Sequence, residues 1–127
     1  MVPGSRYGWP KNILHWHSIT LSILALQATF KPGFAIVDGV VGMEGDGPVL
    51  GTPIESGLLV MGSEGVSVDT VAAAAMGIAA SEVDHLRFAG FTGLGVTDLG
   101  RIEVVGTPLA SVSRRFKRAP SVETFAG

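Results

Sequence analysis

The stretch AIVDGVVGMEGDGP, residues 35–48, joins a short apolar run to an acidic segment rich in glycine. Residues 34–37 are continuously apolar and bounded by turn signals, which predicts a strand buried on both faces. Asp38 ends that run, and closely spaced glycines follow it. In open α/β sheets ligands bind beyond the carboxyl ends of strands, where glycine lets backbone amides approach a bound group. The stretch therefore predicts a strand that opens into a ligand-binding loop.

Helical patterns lie on both sides of this stretch. Residues 18–29 carry apolar side chains at helical spacing, and the segment Lys31-Pro32-Gly33 stops that pattern. Residues 66–76 are rich in alanine and are followed by Gly77, which is typical of a helix end. Ser81 and Asp84 have the spacing of a capping box, which predicts a further helix through about residue 91.

Two more apolar runs, residues 58–61 and 102–105, are flanked by glycine and predict strands. A strand, a helical crossover and a second strand form a right-handed parallel unit. The expected fold is therefore α/β, a small and mostly parallel sheet with helices packed on it.

The connection over residues 39–57 is unusually long for a compact domain. Structureless loops beyond about 12 to 15 residues are uncommon and are usually functional or disordered. Two alternatives stay open: a functional loop, or a short extra strand that includes Val49 and Leu50, with glycines that only make turns. The glycine spacing matches neither the dinucleotide fingerprint nor the Walker loop, which disfavours nicotinamide and nucleoside triphosphate sites of the usual kinds.

The glycine loop supplies the main candidate site. The expected ligand-binding residues are Asp38, Gly39, Gly42, Gly45 and Gly47. The carboxylates of Asp38, Glu44 and Asp46 are oxygen ligands suited to Mg²⁺, Mn²⁺ or Ca²⁺. In the alternative interpretation Asp38 caps its own turn, and the other two carboxylates simply face water.

Other residues also have a functional and a structural interpretation. His15 and His17 could form a metal pair on an extended segment, although a structural histidine is the commoner case. Asp69 falls in the first turn of its predicted helix, where a carboxylate favours the helix dipole without any catalytic role. A basic cluster surrounds Phe116 and belongs either to a phosphate or acidic-partner contact or to a solvated tail.

Composition restricts the function classes. The chain has 127 residues, enough for one domain, with 46% hydrophobic and 16% charged residues, which argues against disorder. Nine basic and eleven acidic side chains leave a net charge of -2, which disfavours nucleic-acid binding. With no cysteine, the chain forms no disulfide, no thiolate zinc site and no cysteine-bound iron–sulfur cluster.

No membrane span or export signal is expected. The longest apolar stretch, residues 13–30, is interrupted by histidine, serine, threonine and glutamine, whereas a span needs about 20 mostly apolar residues. The first residues lack the charged region, apolar run and cleavage site of a secretory signal. A cytoplasmic location is therefore expected.

Several blocks together resemble one prokaryotic family. They are RYGWPKN with LHW (residues 6–16), IVDGVVGMEGDGP (36–48), GTP (51–53), GLLVMG (57–62), VSVDTVAA (66–73), MGI (76–78), GLG-x-x-DL (93–99) and IEVVG (102–106). By these blocks the chain resembles domain of unknown function family 362, and His15 matches the family's LHW pattern whereas His17 does not. The family name implies no activity, and the cysteine-rich ferredoxin-like segment of some members is not found here.

The resemblance also implies an organisation. Family domains are longer than this chain, and their RYGWPKN block falls near the middle, so residues 1–127 are expected to form a single, incomplete domain corresponding to the C-terminal half. Residues 1–12 are expected to be an irregular lead-in and residues 110–127 a flexible tail. A half domain leaves apolar surface to be covered by a second copy or by the missing N-terminal half.

Two functions from different classes remain. One is a divalent-metal-assisted enzyme or enzyme fragment that uses Mg²⁺ or Mn²⁺ to bind a small anionic molecule at the loop over residues 38–53. The other is a non-catalytic interaction or scaffold domain, in which the loop is structural and apolar faces pack on a partner.

Overall fold

A computed structural model describes residues 18–120 of the protein. The predicted lead-in over residues 1–12, the pair His15 and His17, and residues 121–127 of the predicted tail lie outside the described residues. The elements follow in the order helix, two strands, two helices with a short 3₁₀ turn between them, a second 3₁₀ turn and a one-turn helix. Helices and strands are thus both present, as the α/β prediction requires.

Helix α1 comprises Ile19–Phe30 and confirms the helix predicted over residues 18–29. Ser18 caps it, since the Ser18 hydroxyl accepts a hydrogen bond from the Leu21 N–H at 3.4 Å. Lys31 ends it in a left-handed conformation with φ of 42°. The helix contains no charged residue and buries none of its side chains completely, so its apolar side chains remain partly exposed.

The sheet is an antiparallel hairpin of β1, Ala35–Asp46, and β2, Leu50–Gly62. Its register runs from Ala35 opposite Gly62 to Asp46 opposite Leu50. The prediction of a mostly parallel sheet was wrong, and so was the expectation of a long loop over residues 39–57, because nearly all of that segment is paired strand. The alternative placed Val49 and Leu50 in a short extra strand, and it is confirmed only for Leu50, because Val49 lies in the turn and the strand is 13 residues long.

A bulge interrupts the hairpin near its middle. Gly39 pairs with Leu58 and Val41 pairs with Glu55, so two residues of β2, Ser56 and Gly57, lie opposite the single residue between them in β1. Gly57 has φ of 65°, a conformation that glycine adopts without strain. The bulge therefore changes which residues face the helices on its two sides.

Helix α2 comprises Gly65–Ala75 and helix α3 comprises Asp84–Thr92, close to the helices predicted over 66–76 and 81–91. A 3₁₀ turn, Ala80–Glu82, precedes α3. The expected Ser81 and Asp84 capping pair is not the one used, because Glu82 accepts a hydrogen bond from the Ala79 N–H at 2.9 Å.

The prediction of a strand over residues 102–105 was wrong. This segment follows the 3₁₀ turn Leu99–Arg101 and precedes the one-turn helix α4, Leu109–Val112, and it joins no sheet within residues 18–120. Its apolar composition suits a strand, but the hairpin pairs with itself, so the right-handed parallel unit does not form.

The core lies around α2. Val66 and Ala73 of α2 pack with Leu86 and Ala89 of α3, and all four are buried. Thr70 is also buried, and its hydroxyl donates to the Val66 carbonyl at 2.8 Å. None of the described helices has the length and apolar character needed to cross a lipid bilayer.

The segment over residues 113–117 connects α2 to the hairpin. The Phe116 N–H donates to the Met76 carbonyl at 3.0 Å, and the Gly45 N–H donates to the Lys117 carbonyl at 3.0 Å. Phe116 is 7% exposed and contacts the β1 backbone at Gly42. This part of the predicted tail is therefore packed on the domain.

Candidate functional site

A cleft of about 750 Å³ lies beside β2, and we call it the edge cleft. Three parts of the chain supply most of its lining, and Ser63, Glu64 and Val96 supply the rest. The three parts are residues 57–62 of β2, the α2 side chains Ser67, Val68, Val71 and Ala75, and residues 101–105 with Thr107, Leu109 and Val112. Aliphatic side chains predominate on all three walls. Such a cleft suits a ligand with substantial apolar surface.

The cleft follows the edge of β2 rather than one of its faces. Six consecutive residues, 57–62, contribute to the lining. Successive side chains of a strand point to opposite faces, and the lining includes residues of both faces of β2, such as the half-buried Leu58 and the exposed Leu59, as expected for a cleft beside its free edge. The partner strand β1 lies along the other edge of β2. The edge cleft therefore lies where a third strand of the sheet would be.

Glu64 lies at one end of the edge cleft and caps α2. Its Oε1 accepts from the Val66 N–H and its Oε2 from the Ser67 N–H, both at 2.8 Å. Oε2 also accepts from the Val96 N–H at 3.4 Å. Burial raises the pKa of Glu64, but the hydrogen bonds from Ser67, Val66 and Val96 together outweigh burial and lower that pKa.

This cap limits what the edge cleft can bind. The N–H groups at the start of a helix attract anions, but here the chain's own carboxylate occupies those of Val66 and Ser67. The charged side chains that line the cleft are Glu64, Arg101 and Glu103, two acidic and one basic. The arrangement therefore favours a ligand without strong negative charge.

The predicted metal-binding carboxylates are placed apart. Asp38 lies on the exposed face of β1, and its Oδ1 accepts from the Val40 N–H at 3.1 Å. Glu44 lies on the opposite, inner face, where its Oε2 accepts from the Lys117 N–H at 2.9 Å. The two residues are six positions apart along β1, on either side of the irregularity between Gly39 and Val41. Asp46 is exposed at the end of β1. The structure thus does not bring Asp38 and Glu44 together.

The predicted loop glycines serve packing and turn geometry. A Cβ on Gly39 would lie 2.8 Å from the Leu58 side chain, and one on Gly42 would lie 2.9 Å from Phe116 Cε2. Gly45 has φ of 78° beside the turn. A Cβ on Gly47 would lie 2.6 Å from the Met43 sulfur. The glycines therefore let neighbouring side chains approach the hairpin backbone closely.

Asp69 of α2 and His85 of α3 form a polar pair away from the edge cleft. His85 Nε2 lies 3.7 Å from Asp69 Oδ2, and both residues line a small cavity of about 180 Å³ between α1, α2 and α3. Burial raises the pKa of Asp69, and the neighbouring His85 opposes that rise. Asp69 lies in the second turn of α2, not the first as predicted, because the helix begins at Gly65. Its partner is therefore a side chain rather than the helix N-terminus.

A comparison with known protein families identifies the family of this chain. A family model, Domain of unknown function (DUF362), matches residues 1–74, which is more than half of the sequence. The chain belongs to the DUF362 family. No curated protein and no solved structure matches it.

The DUF362 match covers two of the three walls of the edge cleft. It includes β2 and nearly all of α2, whereas the wall over residues 101–107 follows the matched region. The match also includes the hairpin residues that were predicted to bind a ligand. It assigns no chemistry to either place.

Sequence reasoning did not find the edge cleft. Glu64 directly precedes an apolar helical pattern, which could have suggested a cap, but glutamate is not among the favoured capping residues. The wall over residues 102–105 was recognised as apolar and extended, yet it was expected to be paired. The cleft depends on that segment remaining beside β2 without joining the sheet.

Proposed function

We propose that this DUF362 chain is a non-catalytic interaction domain that binds an apolar part of a partner protein in the edge cleft. The observation that supports this most directly is an aliphatic cleft of about 750 Å³ beside β2. Ligand sites in proteins typically have volumes of about 300–1,000 Å³ and mostly apolar walls.

The energetic source of binding would be removal of apolar surface from water. Val68 and Val71 of α2 line the cleft, together with Ile102 and Val104 of the segment that follows the second 3₁₀ turn. Each 100 Å² of apolar surface buried contributes about 2.5 kcal/mol before the costs of association. A ligand that covers these walls can therefore bind without a strong ionic contact.

The outer hairpin face adds exposed apolar surface next to the edge cleft, because Leu59 and Met61 also line that cleft. Ile36 and Met61 are cross-strand partners there, and they are 61% and 56% exposed. The neighbouring Leu59 is also exposed. Association of this surface with a second copy, or with an N-terminal half of the domain, stays a prediction. Size-exclusion chromatography with light scattering measures it, and a stable monomer that binds little hydrophobic dye would contradict it.

The enzyme alternative also stays a prediction. In it, Mg²⁺ or Mn²⁺ bound through Asp38, Glu44 and Asp46 would help to hold a small anionic molecule. The Asp38 and Glu44 carboxylates already accept backbone hydrogen bonds, and Glu44 Oε1 lies 3.9 Å from Lys117 Nζ. A metal would compete with these contacts, so we favour the interaction domain.

Dye binding tests the edge cleft. The uncharged apolar dye Nile red would be titrated into the unmodified protein, Val104→Asp and Ile36→Asp. Val104 belongs to the cleft wall, whereas Ile36 lies on the outer hairpin face and does not line the cleft. We expect Val104→Asp to reduce dye affinity at least tenfold and Ile36→Asp to affect only the remaining, weaker binding.

Circular dichroism would verify that both variants keep the fold. If the folded Val104→Asp protein bound dye as tightly as the unmodified protein, or if only Ile36→Asp reduced binding, the edge cleft would not be the binding site.

A further inference from the structure

We infer that the occupant of the edge cleft is an extended polypeptide segment that pairs with β2 as a third strand. This inference rests on the proposed function, because it specifies the kind of partner that the edge cleft receives. It concerns backbone pairing, whereas the proposed function requires only apolar contact.

The first observation is the free edge of β2. In the part of the chain that the structure describes, β2 has one neighbour in its sheet, β1. In an antiparallel pair, alternate residues direct their N–H and C=O groups away from the partner strand. Alternate residues within 57–62 therefore present unpaired backbone groups to the cleft. Such an edge is a template for another strand.

The second observation is the opposite wall. Ile102 has extended backbone, with φ of -103° and ψ of 118°. Among the described residues, the backbone groups of residues 103–107 make no hydrogen bond with one another or with the rest of the domain. The edge cleft thus has backbone groups without partners along two sides, which an apolar small molecule would leave unpaired.

The volume of the cleft agrees with a short strand. A strand rises about 3.3 Å per residue, lies about 4.8 Å from its neighbour, and belongs to a layer about 10 Å thick. Five residues therefore occupy about 800 Å³ by these dimensions, close to the cleft volume of about 750 Å³. The bulge at Gly57 interrupts the regular edge at one end of this site.

The walls specify the side chains of the partner. Val68, Val71 and Ala75 of α2 line the cleft and give its helix side, called the floor here, an aliphatic surface. A paired segment directs every second side chain toward that floor, so alternate residues of the partner are small and aliphatic. Strand addition of this kind derives affinity from backbone hydrogen bonds and selectivity from the alternate side chains.

Two synthetic peptides test the inference. The probe is a blocked pentapeptide of alternating valine and threonine, and its control carries N-methyl groups on alternate residues. The control keeps the side chains but lacks N–H donors along one edge. Binding would be measured by backbone amide chemical shifts of the full chain. We expect the unmethylated peptide to shift amides in residues 57–62 and 103–107, and methylation to weaken binding at least tenfold.

Substitutions at one wall position supply a second measurement. Val104→Pro removes one backbone N–H from an extended segment, whereas Val104→Ala removes only side-chain surface. We expect Val104→Pro to weaken peptide binding several-fold more than Val104→Ala. Ile36→Asp, on the outer hairpin face, should leave peptide binding unchanged.

The outcomes separate this inference from the proposed function. Equal affinity for both peptides, or shifts confined to β1, would overturn strand pairing. If the dye binds the edge cleft and neither peptide does, strand pairing also fails while the interaction domain stands. If neither the dye nor the peptides bind there, both proposals fail.

Discussion

The Val96 N–H donates a hydrogen bond to Glu64 Oε2 at 3.4 Å, between residues 32 positions apart in the chain. The same oxygen accepts from the Ser67 N–H at 2.8 Å. One carboxylate therefore joins the start of α2 to the segment that follows α3. Because Glu64 and Val96 both line the edge cleft, this contact also holds one end of the cleft together.

Replacing this carboxylate should destabilise the domain. Glu64→Ala removes the acceptor for the Val66, Ser67 and Val96 N–H groups, and loss of a helix cap costs about 0.5–2 kcal/mol. We expect the free energy of unfolding to fall within that range, and Glu64→Gln, which keeps one oxygen acceptor, to lose less. Urea unfolding measures both. Equal stability of Glu64→Ala and the unmodified protein would show that the cap contributes nothing.

Lowering the pH should remove the contribution of the Glu64 carboxylate to the free energy of unfolding. Its pKa is lowered in the folded protein, so its stabilisation is fully present above the ordinary glutamate pKa of about 4.3 and is lost as the pH falls through the lowered folded pKa. Unfolding measured across this acidic range should show a shallower loss of stability for Glu64→Gln than for the unmodified protein. If the unfolding free energies of the two proteins fell in parallel as the pH decreased, folding would not lower the pKa of Glu64.

The contribution of Asp69 to stability should depend on pH in the opposite direction. Burial raises the pKa of Asp69, with opposition from His85, so its contribution is present at low pH and is lost as the pH rises through the raised folded pKa. Asp69→Asn should therefore gain stability relative to the unmodified protein as the pH rises from the acidic range to neutrality. A relative loss of stability over that interval would mean that attraction to His85 outweighs burial.

Gly42 should tolerate no side chain. A Cβ at this position would lie 2.9 Å from Phe116 Cε2, so Gly42→Ala must displace a buried ring. Overpacking of this kind typically costs about 1–3 kcal/mol. Gly33→Ala is the control, because a Cβ on Gly33 meets no atom within 4 Å among the described residues. Thermal unfolding should separate the two variants, and similar melting temperatures would contradict close packing at Gly42.

Ser56 should be replaceable without loss. Its hydroxyl is buried and has no hydrogen-bond partner among the residues described. An unpaired buried polar group is unfavourable, so Ser56→Ala should be neutral or stabilising. The control is Ser113→Ala, which removes a 3.0 Å hydrogen bond from the Ser113 hydroxyl to the Ala74 carbonyl. Chemical unfolding measures the stability of both variants. If Ser56→Ala lost more stability than Ser113→Ala, the Ser56 hydroxyl would have a hydrogen-bond partner.

The helices were predictable because their signals are local. Ser18 precedes an apolar helical pattern, and Gly77 follows another, so α1 and α2 were expected within about one residue of their observed ends. Caps and helical periodicity depend on neighbours only a few positions away. Membership of the DUF362 family was likewise visible in short blocks of sequence.

The hairpin was not predictable by the same reasoning. Glycine is depleted in strands, so the glycines at 39, 42 and 45 suggested a loop. Here close contacts from Leu58 and Phe116 explain Gly39 and Gly42. Phe116 lies far along the chain from Gly42, and no local pattern indicates that contact. The edge cleft was missed for the same reason, because it depends on how residues 101–107 lie beside β2.

The contact between Lys117 and the tip of β1 has a consequence for the order of folding during synthesis. The Lys117 N–H donates to Glu44, 73 positions earlier, and the Lys117 carbonyl accepts from Gly45. A ribosome makes about 5–20 residues per second, so β1 waits several seconds for these partners. During that interval the nascent hairpin exposes the backbone that Phe116 later covers. That backbone therefore stays uncovered until residue 117 has been made and has left the ribosome.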